Sequence, residues 1–147
     1  MQGKPLTQEG EEVVSAPGTR LISVVDDDDS VREATASLLR SFGFSVKEFA
    51  SAEQFLDSPF LGKTACLILD VRMPGMSGPE LQRQLASKRR RIPIIFITAH
   101  GDQVMQAKVM RGGAIDFLRK PFSEEALFRA VYSGLGNPAG NQDFQVR

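Results

Sequence analysis

Cysteine occurs once in this chain, at Cys66. An internal disulfide is therefore excluded, and a reducing compartment is the expectation. There is no excess of either charge, because Lys plus Arg and Asp plus Glu both total 18. A global basic field for nucleic acid or a membrane surface is absent. No apolar stretch approaches the ~20 residues of a membrane-spanning helix. The start, MQGKPLTQEGEE, lacks the apolar core of a signal peptide. There is no internal repeat, and no Gly-rich or Ser/Thr-rich phosphate loop follows the first apolar run. What is present is a 147-residue chain, 41% hydrophobic and 24% charged. That suffices for one domain with a core that needs no disulfide or structural metal. A soluble cytoplasmic domain, with no membrane partner, is the expectation.

Residues 1–19 are rich in Gly, Pro, Gln and Glu without a period and read as a flexible leader. Residues 20–136 read as the folded domain, and 137–147 as a tail or the remnant of a linker. Inside the domain short apolar runs alternate with helical patterns. The candidate strands are LISVV (21–25), FSVKEF (44–49), CLIL (66–69), IPIIFIT (92–98) and AIDFLR (114–119). The central runs are nearly continuous and β-branched, as strands covered on both faces should be. The second run alternates and reads as an edge strand.

Helix signals fill the gaps. Ser30 with Glu33 reads as a capping box before a stripe of Val31, Ala34, Leu38, Leu39 and Phe42. Ser51 with Gln54, and Ser77 with Glu80, repeat the device. Pro79 falls in a first turn, where its missing N–H is harmless. Asp102 opens a fourth helix, which Gly112-Gly113 can close in left-handed geometry. Ser123 opens a fifth, with Glu124 and Glu125 suited to its N-terminus. The alternation predicts an α/β fold. It is a doubly wound (βα)5, flavodoxin-like parallel sheet of order 2-1-3-4-5, with helices on both faces.

In such sheets, ligands bind beyond the carboxyl ends of the strands. Here Asp26 and Asp27 follow the first apolar run, Asp70 the third, Thr98 the fourth, and Arg119, Lys120 and Pro121 the fifth. If the sheet forms, they converge on one rim. Three carboxylates at one rim repel one another unless a cation is bound. Mg2+ suits oxygen-only ligands and accepts phosphate oxygens; Mn2+ is the alternative. A carboxylate beside it can attack phosphorus and form an aspartyl phosphate. The set offers one carboxylate to receive phosphate and two to hold metal. A hydroxyl and an ammonium remain to hold the product.

The segments VVDDD, LILDVRMPGMSG, FITAHGD and GAIDFLRKPF together resemble the receiver domain of bacterial two-component response regulators. The resemblance runs from about Leu21 to about Val131. It is strongest to the nitrogen-fixation/nitrate-type subgroup, in which a receiver precedes a helix-turn-helix domain. It implies that Asp70 is the phosphoacceptor and that Asp26 and Asp27 are the acidic pair, with Asp27 the more direct metal ligand. The main-chain carbonyl of Arg72 would be the third protein ligand. Thr98 and Lys120 would engage the phosphoryl group. Thr98 and Phe117 would act as the switch, and the Lys120–Pro121 bond would be cis.

It further implies a sensor histidine kinase as phosphoryl donor and a change in the face built by the fourth helix, fifth strand and fifth helix. Homodimerisation could follow. The domain would catalyse only its own phosphorylation and dephosphorylation, as part of a phosphorelay. No helix-turn-helix follows the fifth helix, so DNA would be reached only through an output domain outside this chain.

Other readings remain. Asp26 and Asp28 resemble the nucleophile and general acid of haloacid-dehalogenase-type phosphatases. That reading needs a later acidic pair, and only Arg119-Lys120-Pro121 and the helical Glu124-Glu125 follow. A flavodoxin-like or nucleotide-binding module, or an interaction module independent of phosphate, is the remaining choice. Lys88 to Arg91 read as a solvated basic turn, His100 as a loop imidazole, and Cys66 as a small core residue. Met105, Val109 and Met110 read as core.

Overall fold

The computed structural model describes residues 20–99 and 103–136. The expected leader and tail, Asp102 and His100 lie outside the described residues. Five strands form one parallel sheet in the order β2-β1-β3-β4-β5. They are β1 (Leu21–Val25), β2 (Ser45–Phe49), β3 (Cys66–Asp70), β4 (Ile94–Thr98) and β5 (Asp116–Arg119). Between and after them come α1 (Asp29–Ser41), α2 (Ala52–Leu56), α3 (Gly78–Ser87), α4 (Gln103–Arg111) and α5 (Glu124–Gly134). A 3-10 turn at Leu61–Lys63 leads into β3.

The position of each strand follows from its pattern. In β3 and β4 every residue is buried. β2 lies at one edge and alternates between exposed and buried positions. β4 and β5 begin later than their apolar runs. Pro93 has no N–H to donate, yet its carbonyl still accepts from Leu67 N at 2.9 Å.

The sheet separates two cores. One joins Val25, Leu67, Leu69 and Phe96 to Phe55 of α2, Leu81 and Leu85 of α3 and Val109 of α4. The other joins Ile22, Val24, Ile68 and Ile97 to Ala36 and Leu39 of α1 and Leu127 and Val131 of α5. The single cysteine is part of the second core, and burial pushes its thiol up to about 12.

The helix starts match expectation at three sites and differ at one. Ser51, Ser77 and Ser123 each accept from the backbone N–H three residues on. At Ser77 the box is complete, because Glu80 also accepts from Ser77 N at 2.8 Å. At Ser51 the return bond moves one residue earlier, with Gln54 accepting from Ala50 N. For α1 the expected Ser30–Glu33 box does not form. Asp28 is the cap, and its carboxylate accepts from Val31 N at 3.1 Å. The acidic run offers a better acceptor two residues earlier, so the helix begins sooner and Ser30 lies inside it. Of the expected stripe, Leu39 is buried and Val31, Leu38 and Phe42 pack partly buried against the core, while Thr35 and Ala36 join it and Ala34 is exposed. Gly113 closes α4 at φ +105°, in the left-handed region. Val109 and Met105 pack as expected, but Met110 is 39% exposed.

Candidate functional site

β1 and β3 are neighbours and end at the same rim, with Val25 level with Leu69. Asp26 follows β1 and is fully buried; Asp70 ends β3 and is 6% exposed. Asp27, one residue on, is exposed. Ligand oxygens of Asp26, Asp27 and Asp70 lie within 4.8 Å of one another. Lys120 follows edge strand β5 and reaches inward. Its Nζ is 3.2 Å from Asp26 Oδ2 and 3.7 Å from Asp70 Oδ1. Its backbone N–H donates to the Thr98 carbonyl at 2.7 Å, which ties the ammonium-bearing residue to the end of β4. Thr98 is buried, level with Arg119 in β5. The Lys120–Pro121 bond is cis.

The electrostatics are unbalanced. Burial raises the Asp70 carboxyl to about 7, the negative charge of Asp26 adds to this, and Lys120 offsets only part of it. A hydrogen bond shared with Asp26 and the charge of Asp27 push in the same direction. One ammonium thus faces three carboxylates. A divalent cation fits the donor set, which is all oxygen.

Two backbone features hold Asp70 in place. Val71 N–H donates to Ile97 O at 3.1 Å, and Gly78 N–H donates to Val71 O at 3.0 Å. These bonds fold the loop that contains Arg72 back against the strand end. Gly78 must be glycine for steric reasons, since a Cβ there would lie 2.3 Å from the Asp70 carbonyl oxygen. Glu53 of α2 accepts from Met76 N at 3.0 Å and braces the same loop. Phe117, in β5, is 7% exposed and belongs to the core on the α2-α3-α4 side.

The expected Asp26, Asp27, Asp70, Thr98 and Lys120 therefore share one rim. Arg72 lies in the loop beside them, exposed. Asp28 does not join the cluster: its carboxylate accepts the α1 cap bond instead. Sequence reasoning passed over Arg32, Glu53 and Gly78. For Arg32 a signal was available, a cation one helical turn after the acidic run. For Glu53 and Gly78 the contacts cross between elements and no local spacing announces them.

The sequence profile of the response regulator receiver domain matches residues 22–132. This chain belongs to that family. Among curated relatives, the receiver is 50% identical over 115 residues to the response regulator protein TodT of Pseudomonas putida. That match covers 78% of this chain and 51% of TodT. It is 42% identical over 123 residues to the transcriptional regulatory protein FixJ of Azorhizobium caulinodans, covering 84% of this chain and 58% of FixJ. The chain thus spans about half the length of the curated relatives it matches. Among solved structures, the response regulator StyR superposes with a TM-score of 0.75 at 49% identity, covering 87% of this chain and 65% of that one. Among the described residues, no helix is long and apolar enough to cross a membrane.

Proposed function

We propose that this receiver accepts a phosphoryl group on Asp70. The observation that carries this reading is the convergence of Asp70 with two further carboxylates and one lysine ammonium at the end of the sheet. The donor would be a phosphohistidine of a sensor histidine kinase. An Asp70 carboxylate oxygen attacks phosphorus, the P–N bond breaks, and the electron pair stays on the imidazole nitrogen, which takes up a proton. The product is an aspartyl phosphate.

Asp26, Asp27 and Asp70, with the main-chain carbonyl of Arg72, would hold Mg2+ or Mn2+. When bound, the cation supplies charge neutralisation to the phosphoryl oxygens. Lys120 adds a second positive charge on the Asp70 side. Thr98, buried at the end of β4, is within the same rim and would donate its hydroxyl to the new phosphoryl group. Its movement would free room that Phe117 can take. The response would then reach the surface formed by α4, β5 and α5, where Val104 is 78% exposed and Met110 is also exposed. A second copy of the receiver is the expected partner there, with DNA reached only through an output domain. The domain is cytoplasmic in this reading and catalyses only its own phosphorylation and dephosphorylation.

The test is intact mass after incubation with Mg2+ and acetyl phosphate. A single phosphoryl adduct, lost in Asp70→Asn and lost without metal, is the expected result. An adduct that persists in Asp70→Asn would move the acceptor to another residue.

A further inference from the structure

Asp27 poses a problem that the acidic cluster does not solve. It is exposed, and it lies beside the two buried carboxylates whose charge it shares. The direction of its side chain depends on its backbone. The backbone at this point is held by three hydrogen bonds, one of them donated by Asp28 N–H to Asp26 Oδ1 at 2.9 Å. Asp26 N–H donates to Phe49 O at 3.1 Å, which ties it to β2. The Asp26 carbonyl, which is the oxygen of the Asp26–Asp27 peptide, accepts from Arg32 NH1 at 2.8 Å.

Arg32 is itself fixed by three contacts. Its NH2 is 2.7 Å from Asp29 on its own helix, and its Nε is 3.4 Å from Glu48 on β2. Its side chain is only 13% exposed. Each nitrogen of the planar guanidinium has its own acceptor: a peptide carbonyl, a carboxylate on α1 and a carboxylate on β2.

We propose that Arg32 is a positioning residue for the divalent-cation site, orienting the Asp26–Asp27 peptide so that the Asp27 carboxylate meets Asp26 and Asp70. This rests on the cation reading given above. Arg32 acts from behind the peptide and touches neither metal nor phosphate. Its effect runs against its charge. A guanidinium near the site repels a cation, so charge alone predicts tighter Mg2+ binding when Arg32 is removed. Positioning predicts weaker binding.

The experiment is a Mg2+ titration of the 147-residue chain, followed by 1H–15N shifts, on wild type, Arg32→Gln, Arg32→Lys and Glu48→Gln. For Arg32→Gln the dissociation constant should rise about tenfold or more, as is usual for partners that orient metal ligands. Arg32→Lys should also bind more weakly, because a single ammonium cannot span three acceptors in a plane. Glu48→Gln keeps the bond to Asp26 and loses one brace, so its rise should be smaller and in the same direction. Adduct formation with acetyl phosphate should recover in Arg32→Gln at saturating Mg2+.

Wild-type affinity in Arg32→Gln, or tighter binding there with no change in Arg32→Lys, would overturn the positioning role and leave the cation site standing. A wild-type protein whose shifts do not respond to Mg2+ would overturn the cation reading, and the role of Arg32 with it. Amide spectra of each variant report whether it is folded. Should Arg32→Gln unfold, unchanged affinity in Glu48→Gln would count against the proposal.

Discussion

At the scale of single residues, Asp70 carries the clearest consequence. Its carboxyl is raised to about 7 in the metal-free protein, first by burial and then by Asp26. The unfolded chain releases that proton near pH 4. Between these values the native state binds more protons than the unfolded state, so metal-free stability should fall as pH rises from about 4 to about 7 and level off above. Saturating Mg2+ should flatten that slope, because the cation favours ionised carboxylates. Urea midpoints at several pH values, with and without Mg2+, check both. A metal-free midpoint that climbs through this range would contradict the assigned environment of Asp70.

The site was legible in the sequence at this scale because Asp26, Asp70, Thr98 and Lys120 each follow an apolar run directly. A parallel sheet brings such positions to one rim whatever the side chains between them. For Arg32 only the pairing with Asp29 was legible, at a helical spacing of three; its hold on the Asp26–Asp27 peptide was not. Its part depends on a carbonyl six residues back and on Glu48 in another strand, and neither falls at a helical spacing from it.

At the scale of elements, the caps separate two readings of the same acidic run. Ser77 accepts from Glu80 N at 3.2 Å, so Ser77→Ala should cost ~1 kcal/mol. Asp28→Ala should cost a similar ~1 kcal/mol, because Asp28 caps α1. Ser30→Ala should stay within about 0.5 kcal/mol, since a surface change away from any cap rarely does more. Denaturant midpoints for the three variants decide the matter; a large loss at Ser30 with none at Asp28 would restore the cap read from sequence. The miss has a physical cause. Ser-x-x-Glu is a good box in isolation, but Asp28 lies ahead of it in chain order and captures the first free amides. Strand boundaries shifted for a similar reason. The apolar run sets where a strand can be, and the partner strand sets where pairing begins, as at Ile94, which pairs with Leu67.

At the scale of the whole molecule, the proposed cation would link rim and fold. Anything that binds the native state alone stabilises it by mass action, about 2.7 kcal/mol at a hundredfold excess over the dissociation constant. Mg2+ should therefore raise the melting temperature of wild type, by ~4 °C per kcal/mol for a domain of this size. Asp27→Asn should lose most of that gain. Calorimetry with and without Mg2+ measures it, and an equal rise in both proteins would place the ion elsewhere.

The two cores have a consequence of another kind. The α1–α5 layer and the α2–α4 layer meet the same strands from opposite sides and are separated by the sheet. Side chains that far apart, with no shared neighbours, contribute to stability nearly additively. Each layer can therefore accumulate sequence change with little effect on the other. The rim is different ground, because Lys120 there pairs with Asp26 just after β1, with Asp70 of β3 and with the backbone of β4. Drift should be free on the flanks of this molecule and correlated at its crest.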